Sequence, residues 1–315
     1  MSTSSELFWS IGELAERAGA TVKTVRFYSD HGLLPEAARS SGGHRRYGPE
    51  ALERLRLIRS LRGLDLPLPV IRRVLEDDDE VAGRELEAAV DSRLRALGDE
   101  RRALRWREAA LELVRDCPPA QRAARLELLG ALDTPPSTAP LARFWRTWLP
   151  PRMPPRAVAA FLEVAVPQPP DEPHPEQALA FARLHAMTTA PCPGGRQPQP
   201  EVHRVAGARG AATLYQGLAE AYERTAPELR RGREPRPGEA LDTYVAAYAG
   251  AYRCRDTHDF RRLLVTRLAA EPRLDRYWHL AAVVLTPPGS RPLPTPGSAD
   301  DWLRAALLQD TDTAA

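Results

Sequence analysis

The side chains best placed to do chemistry are cations and hydrogen-bonding groups gathered in two short stretches. The first is Thr21, Lys23, Thr24, Arg26 and Tyr28; the second is Arg39-Ser40-Ser41-Gly42-Gly43-His44-Arg45-Arg46-Tyr47. Arginine and lysine neutralise phosphates, and arginine can also read the edge of a guanine in the major groove. Over residues 1–75 there are twelve Lys/Arg against eight Asp/Glu, a local net charge of +4, although the whole chain of 315 residues carries only +2. That balance excludes a uniformly basic nucleic-acid coat and leaves room for a basic face. Lys23 is the only lysine, so nearly all positive charge is arginine.

The elements that must position these groups are legible around them. Ser10-Ile11-Gly12-Glu13 forms a capping box, with Trp9 and Leu14 spaced as a hydrophobic staple. Ile11, Leu14, Ala15 and Ala18 line one helix face, and Gly19 provides a tight turn. Thr21 caps a second helix in which Val22 and Val25 are expected to point inward, leaving Lys23, Thr24, Arg26 and Tyr28 on other faces. Two short helices joined this way make a helix-turn-helix, whose second helix would enter a major groove. Gly32 stops that helix, and Ser41-Gly42-Gly43 turns a short β-wing suited to phosphates or a minor groove. Pro49 opens a third helix with an apolar stripe at Leu52, Leu55, Leu57, Ile58 and Leu61. Pro67 and Pro69 bracket the start of a fourth, carrying Val70, Ile71, Val74 and Leu75. His44 reads as a wing surface residue, and Tyr28 and Tyr47 also fit as core aromatics.

The ordered set Trp9–Ala15, Thr24-Val25-Arg26-Phe27-Tyr28, Gly32-Leu33-Leu34 and Arg45-Arg46-Tyr47 resembles the MerR family of transcription regulators over about 110 residues. The resemblance implies a winged head in which Arg26 and its neighbours read bases while Tyr28, Arg45, Arg46 and Tyr47 hold the DNA backbone. Phe27 stands where the family often has tyrosine, and Asp65 where it often has a glycine. The resemblance further implies a homodimer on double-stranded promoter DNA, RNA polymerase as a partner, and promoter distortion as the mechanism.

Residues 76–116 read as one long charged helix opening on Glu76-Asp77-Asp78-Asp79-Glu80. Val90, Leu97, Leu104 and Leu111 recur every seven residues with Leu94 on the same seam, although Arg101 and Glu108 interrupt it. A lone helix cannot bury such a stripe by itself. An antiparallel coiled coil between two subunits, or packing against the C-terminal domain, would cover it. A two-fold dimer implies an inverted-repeat operator.

The domain expectation is therefore a winged helix-turn-helix over 1–75, a dimerisation helix over 76–116 and a helical effector-binding or regulatory domain over 117–315. The class is mainly α. The 31 prolines favour short helices between stiff joints. Helices are expected over 140–149, 155–166, 175–187, 211–230, 238–253, 258–270, 273–285 and 298–309. Twelve aromatics could line an organic-effector pocket or fill a core: Phe144, Trp145, Trp148, Phe161, Phe181, Tyr215, Tyr222, Tyr244, Tyr248, Tyr252, Tyr277 and Trp278. Cys117, Cys192 and Cys254 are too few and too scattered for a disulfide framework, a metal knuckle or an iron–sulfur centre. Asp256, His258 and Asp259 lie together with no nucleophile beside them, and Asp256 or Thr257 would cap the next helix. No hydrolase, zinc-protease, P-loop or dinucleotide motif is present, so the expectation is a regulator without cofactor or metal, not an enzyme. A protein-interaction module and a helical enzyme fused to a DNA-binding head are the competing readings of 117–315. With no signal-peptide pattern and no run of 18 apolar residues, the expected setting is cytoplasmic and reduced, away from any membrane.

Overall fold

The computed structural model describes residues 8–76, 79–190, 200–268 and 272–313. Cys192, most of the proline joint at 191–200, and Asp77 and Asp78 of the acidic run lie outside them. Among the described residues there are fourteen helices and one two-stranded sheet. The chain is mainly α, as the proline spacing and helical periodicities predict. It divides into two compact units, Met1–Glu100 and Arg101–Ala315.

The first unit opens with α1 (Ile11–Arg17) and α2 (Val22–Asp30). Both predicted caps form. The Glu13 amide donates to Ser10 Oγ at 3.3 Å, and Glu13 Oε2 accepts the Ser10 amide at 2.7 Å. Thr21 Oγ1 accepts the Thr24 amide at 3.1 Å. Gly19 and Gly32 take the left-handed φ values of 61° and 73° that the two turns require. The wing pairs β1 (Ala38–Arg39) antiparallel with β2 (Arg45–Arg46), Ala38 opposite Arg46. Trp9 bridges to Tyr47 through reciprocal backbone hydrogen bonds of 2.8 and 2.9 Å, tying the entry of the chain to the wing. Helices α3 (Pro49–Gly63) and α4 (Leu68–Glu76) follow, and Asp65 between them adopts φ 59°. That is the left-handed conformation for which glycine is the easier residue.

Leu14, Val25, Leu33, Leu55, Ile58, Leu66 and Ile71 form the core of this unit. Three expectations are corrected. Val22 is 42% exposed because it occupies the first turn of α2, beyond the edge of the core, which Val25 and Tyr28 reach from this helix. Leu57 is exposed because the α3 stripe that meets the core runs through Leu55, Ile58 and Leu61. Tyr28 is buried, three residues on from Val25 and on the same face.

A single helix, α5 (Asp79–Arg115), begins in the first unit and ends in the second. The second unit adds α6 (Pro119–Gly130), α7 (Ala139–Trp148), α8 (Pro155–Ala165), α9 (Pro175–Thr189), α10 (Glu201–Arg230), α11 (Glu239–Tyr252), α12 (His258–Arg267), α13 (Pro272–Leu285) and α14 (Pro296–Thr313). Each predicted helix is present. Helix α6 is an addition, announced only by Pro119 in its first turn. Helix α10 starts ten residues early and is kinked at Gly207, whose φ of 65° and ψ of −179° are not helical.

Two apolar cores build the second unit. One gathers Trp106, Leu113, Leu141, Trp145, Phe181 and Tyr277 from α5, α7, α9 and α13. The other gathers Leu214, Leu218, Tyr244, Val245, Phe260 and Leu303 from α10, α11, α12 and α14. Gly217 lets α10 and α11 approach so closely that an added Cβ would lie 2.7 Å from the Ala247 Cβ. On α5 the buried face is Ala103, Trp106, Ala109 and Leu113. It is a different face from the heptad seam, where Leu94, Leu97, Leu104 and Leu111 are exposed and Val90 is half-buried. Packing within the unit therefore accounts for one stripe of α5 and leaves the other uncovered.

Candidate functional site

The cations of the first unit divide into those already committed to the fold and those left over. Arg54 Nε donates to the Leu33 carbonyl at 2.9 Å, Arg62 to Leu66 at 2.8 Å and Arg72 to His31 at 3.0 Å; Arg59 donates to Ala18. These arginines cap carbonyls at helix ends and turns, so the positive count of the segment overstates the charge available to a ligand. Arg17 lies over the Trp9 ring, 4.7 Å from its centroid.

In the wing, Arg45 is engaged three times, by Asp30 at 2.5 Å, Glu36 at 2.7 Å and Ser29 Oγ at 3.0 Å. The Asp30 hydrogen bond is the main reason its guanidinium is held still more firmly charged than an ordinary arginine. Tyr47 is fully buried and donates its hydroxyl to Ser29 Oγ at 2.8 Å. Arg45, Ser29 and Tyr47 thus form a brace between α2 and β2, with little left to offer a phosphate. Arg46 is different. It is half-buried, and its guanidinium has no hydrogen bond or ion pair among the described residues. It lies near enough to Glu13 to help lower that carboxyl, after the larger effect of the Ser10 backbone hydrogen bond. His44 is exposed at the wing tip, where Ser40 Oγ accepts its amide at 3.2 Å.

On α2, Lys23 and Arg26 are exposed without partners among the described residues. Thr21 and Thr24 are occupied with each other, their hydroxyls 2.8 Å apart. Tyr28 is withdrawn into the core. The outer face of α2 is completed by two apolar residues that sequence reasoning did not assign to it. These are Val22 and Phe27, the latter 41% exposed with its ring centroid 4.1 Å from that of His31. One unit thus combines a short solvent-facing helix bearing two cations without partners among the described residues with a wing bearing a third.

The second unit holds a partly open cavity of about 1010 Å³ lined by residues of both its cores. Of the twelve aromatics singled out from sequence, Trp145, Trp148, Phe161, Tyr215, Tyr222, Tyr248, Tyr252 and Trp278 line it. Phe144, Phe181, Tyr244 and Tyr277 serve the cores instead. The polar hub of the cavity was not foreseen. Asp300 Oδ1 accepts hydroxyls from Tyr222 at 3.0 Å and Tyr244 at 2.8 Å, while Arg304 Nε lies 3.3 Å from Oδ2. Burial raises the Asp300 carboxyl, against the lowering effect of these partners. The i, i+4 spacing of Asp300 and Arg304 on one helix was the available signal. His203, also in the lining, meets the Tyr215 hydroxyl at 2.8 Å, and burial depresses it to about 4. Of Asp256, His258 and Asp259, the structure engages Asp256 in an ion-pair cluster at the start of α12. Thr257 caps α12, and Arg261 gathers Asp242, Asp256 and Asp310 within 2.9 Å. No helix among the described residues is long and apolar enough to cross a membrane.

Known proteins match the first of these two sites. Residues 9–78 match the model of the MerR HTH family regulatory protein. Nodulation protein NolA of Bradyrhizobium elkanii is 47% identical over 68 residues, 22% of this chain and 31% of that protein. The transcriptional activator TipA of Streptomyces coelicolor is 44% identical over 69 residues, 22% of this chain and 27% of its own. The chain thus spans about a third of the length of these curated relatives. The mercuric resistance operon regulatory protein of Serratia marcescens is 33% identical over 125 residues, 39% of this chain and 87% of that protein. Covering most of a relative's length at that identity, on a head whose caps, turns and wing all form, the chain belongs to the MerR family of helix-turn-helix regulatory proteins.

Proposed function

We propose that the protein is a dimeric transcription regulator that binds an inverted-repeat promoter operator and answers to an organic effector. The observation that carries this reading is the division of cations in the head, with Lys23 and Arg26 on α2, Arg46 on the wing and Arg56 on α3 without partners among the described residues, while Arg45, Arg54, Arg59, Arg62 and Arg72 are engaged by the fold itself. Arg26 reads bases; Lys23 and Arg46 neutralise phosphates; Arg45 and Tyr47 hold the wing in place. The exposed seam of Leu94, Leu97, Leu104 and Leu111 supports a second copy of the chain as its cover. Two heads then face two half-sites on one duplex.

The aromatic cavity supports a ligand with a large apolar or aromatic body. An effector that favours one angle between the heads would bend or twist the intervening DNA and so bring promoter elements into register for RNA polymerase. Smooth bends cost about 1–6 kcal/mol, a range that ligand coupling of about 1–3 kcal/mol can bias. The test is recovery of genomic DNA bound by the full chain, with light scattering on the free protein. Inverted repeats and a two-chain mass support the reading. A single-chain species that retains no duplex refutes it, and binding that no aromatic compound alters refutes the effector half.

A further inference from the structure

We infer that Val22 is a specificity-determining residue, reading the C5-methyl group of a thymine beside the base pair that Arg26 contacts. The inference rests on the DNA-binding reading above and adds a base preference to it. It begins from what α2 can offer a groove. Thr21 Oγ1 accepts the Thr24 amide at 3.1 Å, the two threonine hydroxyls engage each other at 2.8 Å, and Tyr28 is buried. Of the two cations on this helix, Arg26 is the one assigned to bases and Lys23 is given to phosphate. What stands beside them is apolar.

Val22 fills no core position, because Val25 takes that place with no exposed surface, whereas Val22 is 42% exposed. As the first residue of α2 it has no capping duty, which Thr21 performs. A single exposed valine elsewhere on a protein surface would need no explanation. This one stands four residues before Arg26, on the same face and at the N-terminal end from which recognition helices contact base edges. A thymine methyl is the one apolar group that the major groove displays, and a valine is shaped to cover it. Four residues of helix rise by about 6 Å, and base pairs rise by about 3.4 Å, so the thymine lies within about two base pairs of the base read by Arg26. Phe27, the other exposed apolar residue, lies farther along α2 against His31 and is assigned no base.

The test uses the full chain and the operator duplex recovered from genomic DNA. Each thymine is replaced in turn by deoxyuridine, which keeps Watson–Crick pairing and removes only the methyl group. The expected result is one symmetric pair of positions where the replacement lowers affinity about 3- to 5-fold per half-site, the worth of one buried methyl. At that pair V22A should lose the sensitivity, binding thymine and deoxyuridine operators alike, while the remaining positions are unaffected. A wild-type protein indifferent to deoxyuridine at every position overturns the inference without reference to any variant. So does a V22A protein that keeps the wild-type sensitivity. Failure to bind the thymine operator at all would instead overturn the DNA-binding reading itself.

Discussion

Arg46 and Arg45 are sequence neighbours in one strand, yet Arg45 is engaged by Asp30 and Glu36 while Arg46 has no partner among the described residues, and on the proposed reading salt dependence should separate them. Each phosphate neutralised by a cation contributes about 0.9 to the slope of log affinity against log salt, through release of condensed counterions. Arg46 has no partner among the described residues, so R46Q should remove one such contact from each head. For a dimer that lowers the slope by about 1.8, and between about 50 and 200 mM salt the variant would lose about 12-fold less affinity than the wild type. Arg45 already faces Asp30 at 2.5 Å and Glu36 at 2.7 Å. The double change R45Q/E36Q conserves net charge and loosens the brace on the wing. It should weaken binding to specific and non-specific duplex together while leaving the slope within about 0.5 of the wild-type value. Fluorescence anisotropy on a labelled operator duplex at four salt concentrations measures both slopes. Equal losses of slope in the two proteins, or an unchanged slope in R46Q, would refute the division of cations on which the proposed interface stands.

Removing the hydroxyl that Tyr47 donates to buried Ser29 should cost the head about 1 kcal/mol, read as a lower urea midpoint for Y47F, with a smaller effect on DNA contacts than on stability. His203, depressed to about 4 by burial, binds its proton less readily folded than unfolded. Its stabilising contribution is therefore complete above the unfolded value near 6.5 and is lost as the pH falls toward 4, by up to about 3 kcal/mol. H203Q should flatten that limb of a pH series of thermal melts relative to wild type. Leu104 and Leu111 are 60% and 70% exposed, so L104K/L111K should leave the melting of the single chain almost unchanged while halving the mass seen by light scattering. Trp145, Trp148 and Trp278 line the cavity, so a bound aromatic compound should quench their emission and raise the melting temperature. At a hundredfold excess over Kd the stabilisation is about 2.7 kcal/mol.

Local rules determine much of this protein. Ser10, Thr21, Gly19, Gly32 and Pro49 set the caps and turns of the head because capping and left-handed φ are properties of one residue and its near neighbours. The heptad of α5 and the proline joints of the C-terminal half were likewise readable, since period and φ restriction are written in the chain itself. Tertiary packing decided which side chains were left to act. Val22 and Val25 are the same residue three places apart, and only the position of the core makes one exposed and the other buried. Arg45 and Arg46 differ because Asp30, 15 residues away from Arg45, folds back onto one of them. Asp300, Tyr222 and Tyr244 meet across separations of 78 and 56 residues, a distance over which no local pattern carries information. Sequence could say that cations, hydroxyls and aromatics were present in the right segments. Only the fold, by spending most of them on its own carbonyls, carboxylates and cores, showed which remained for a partner.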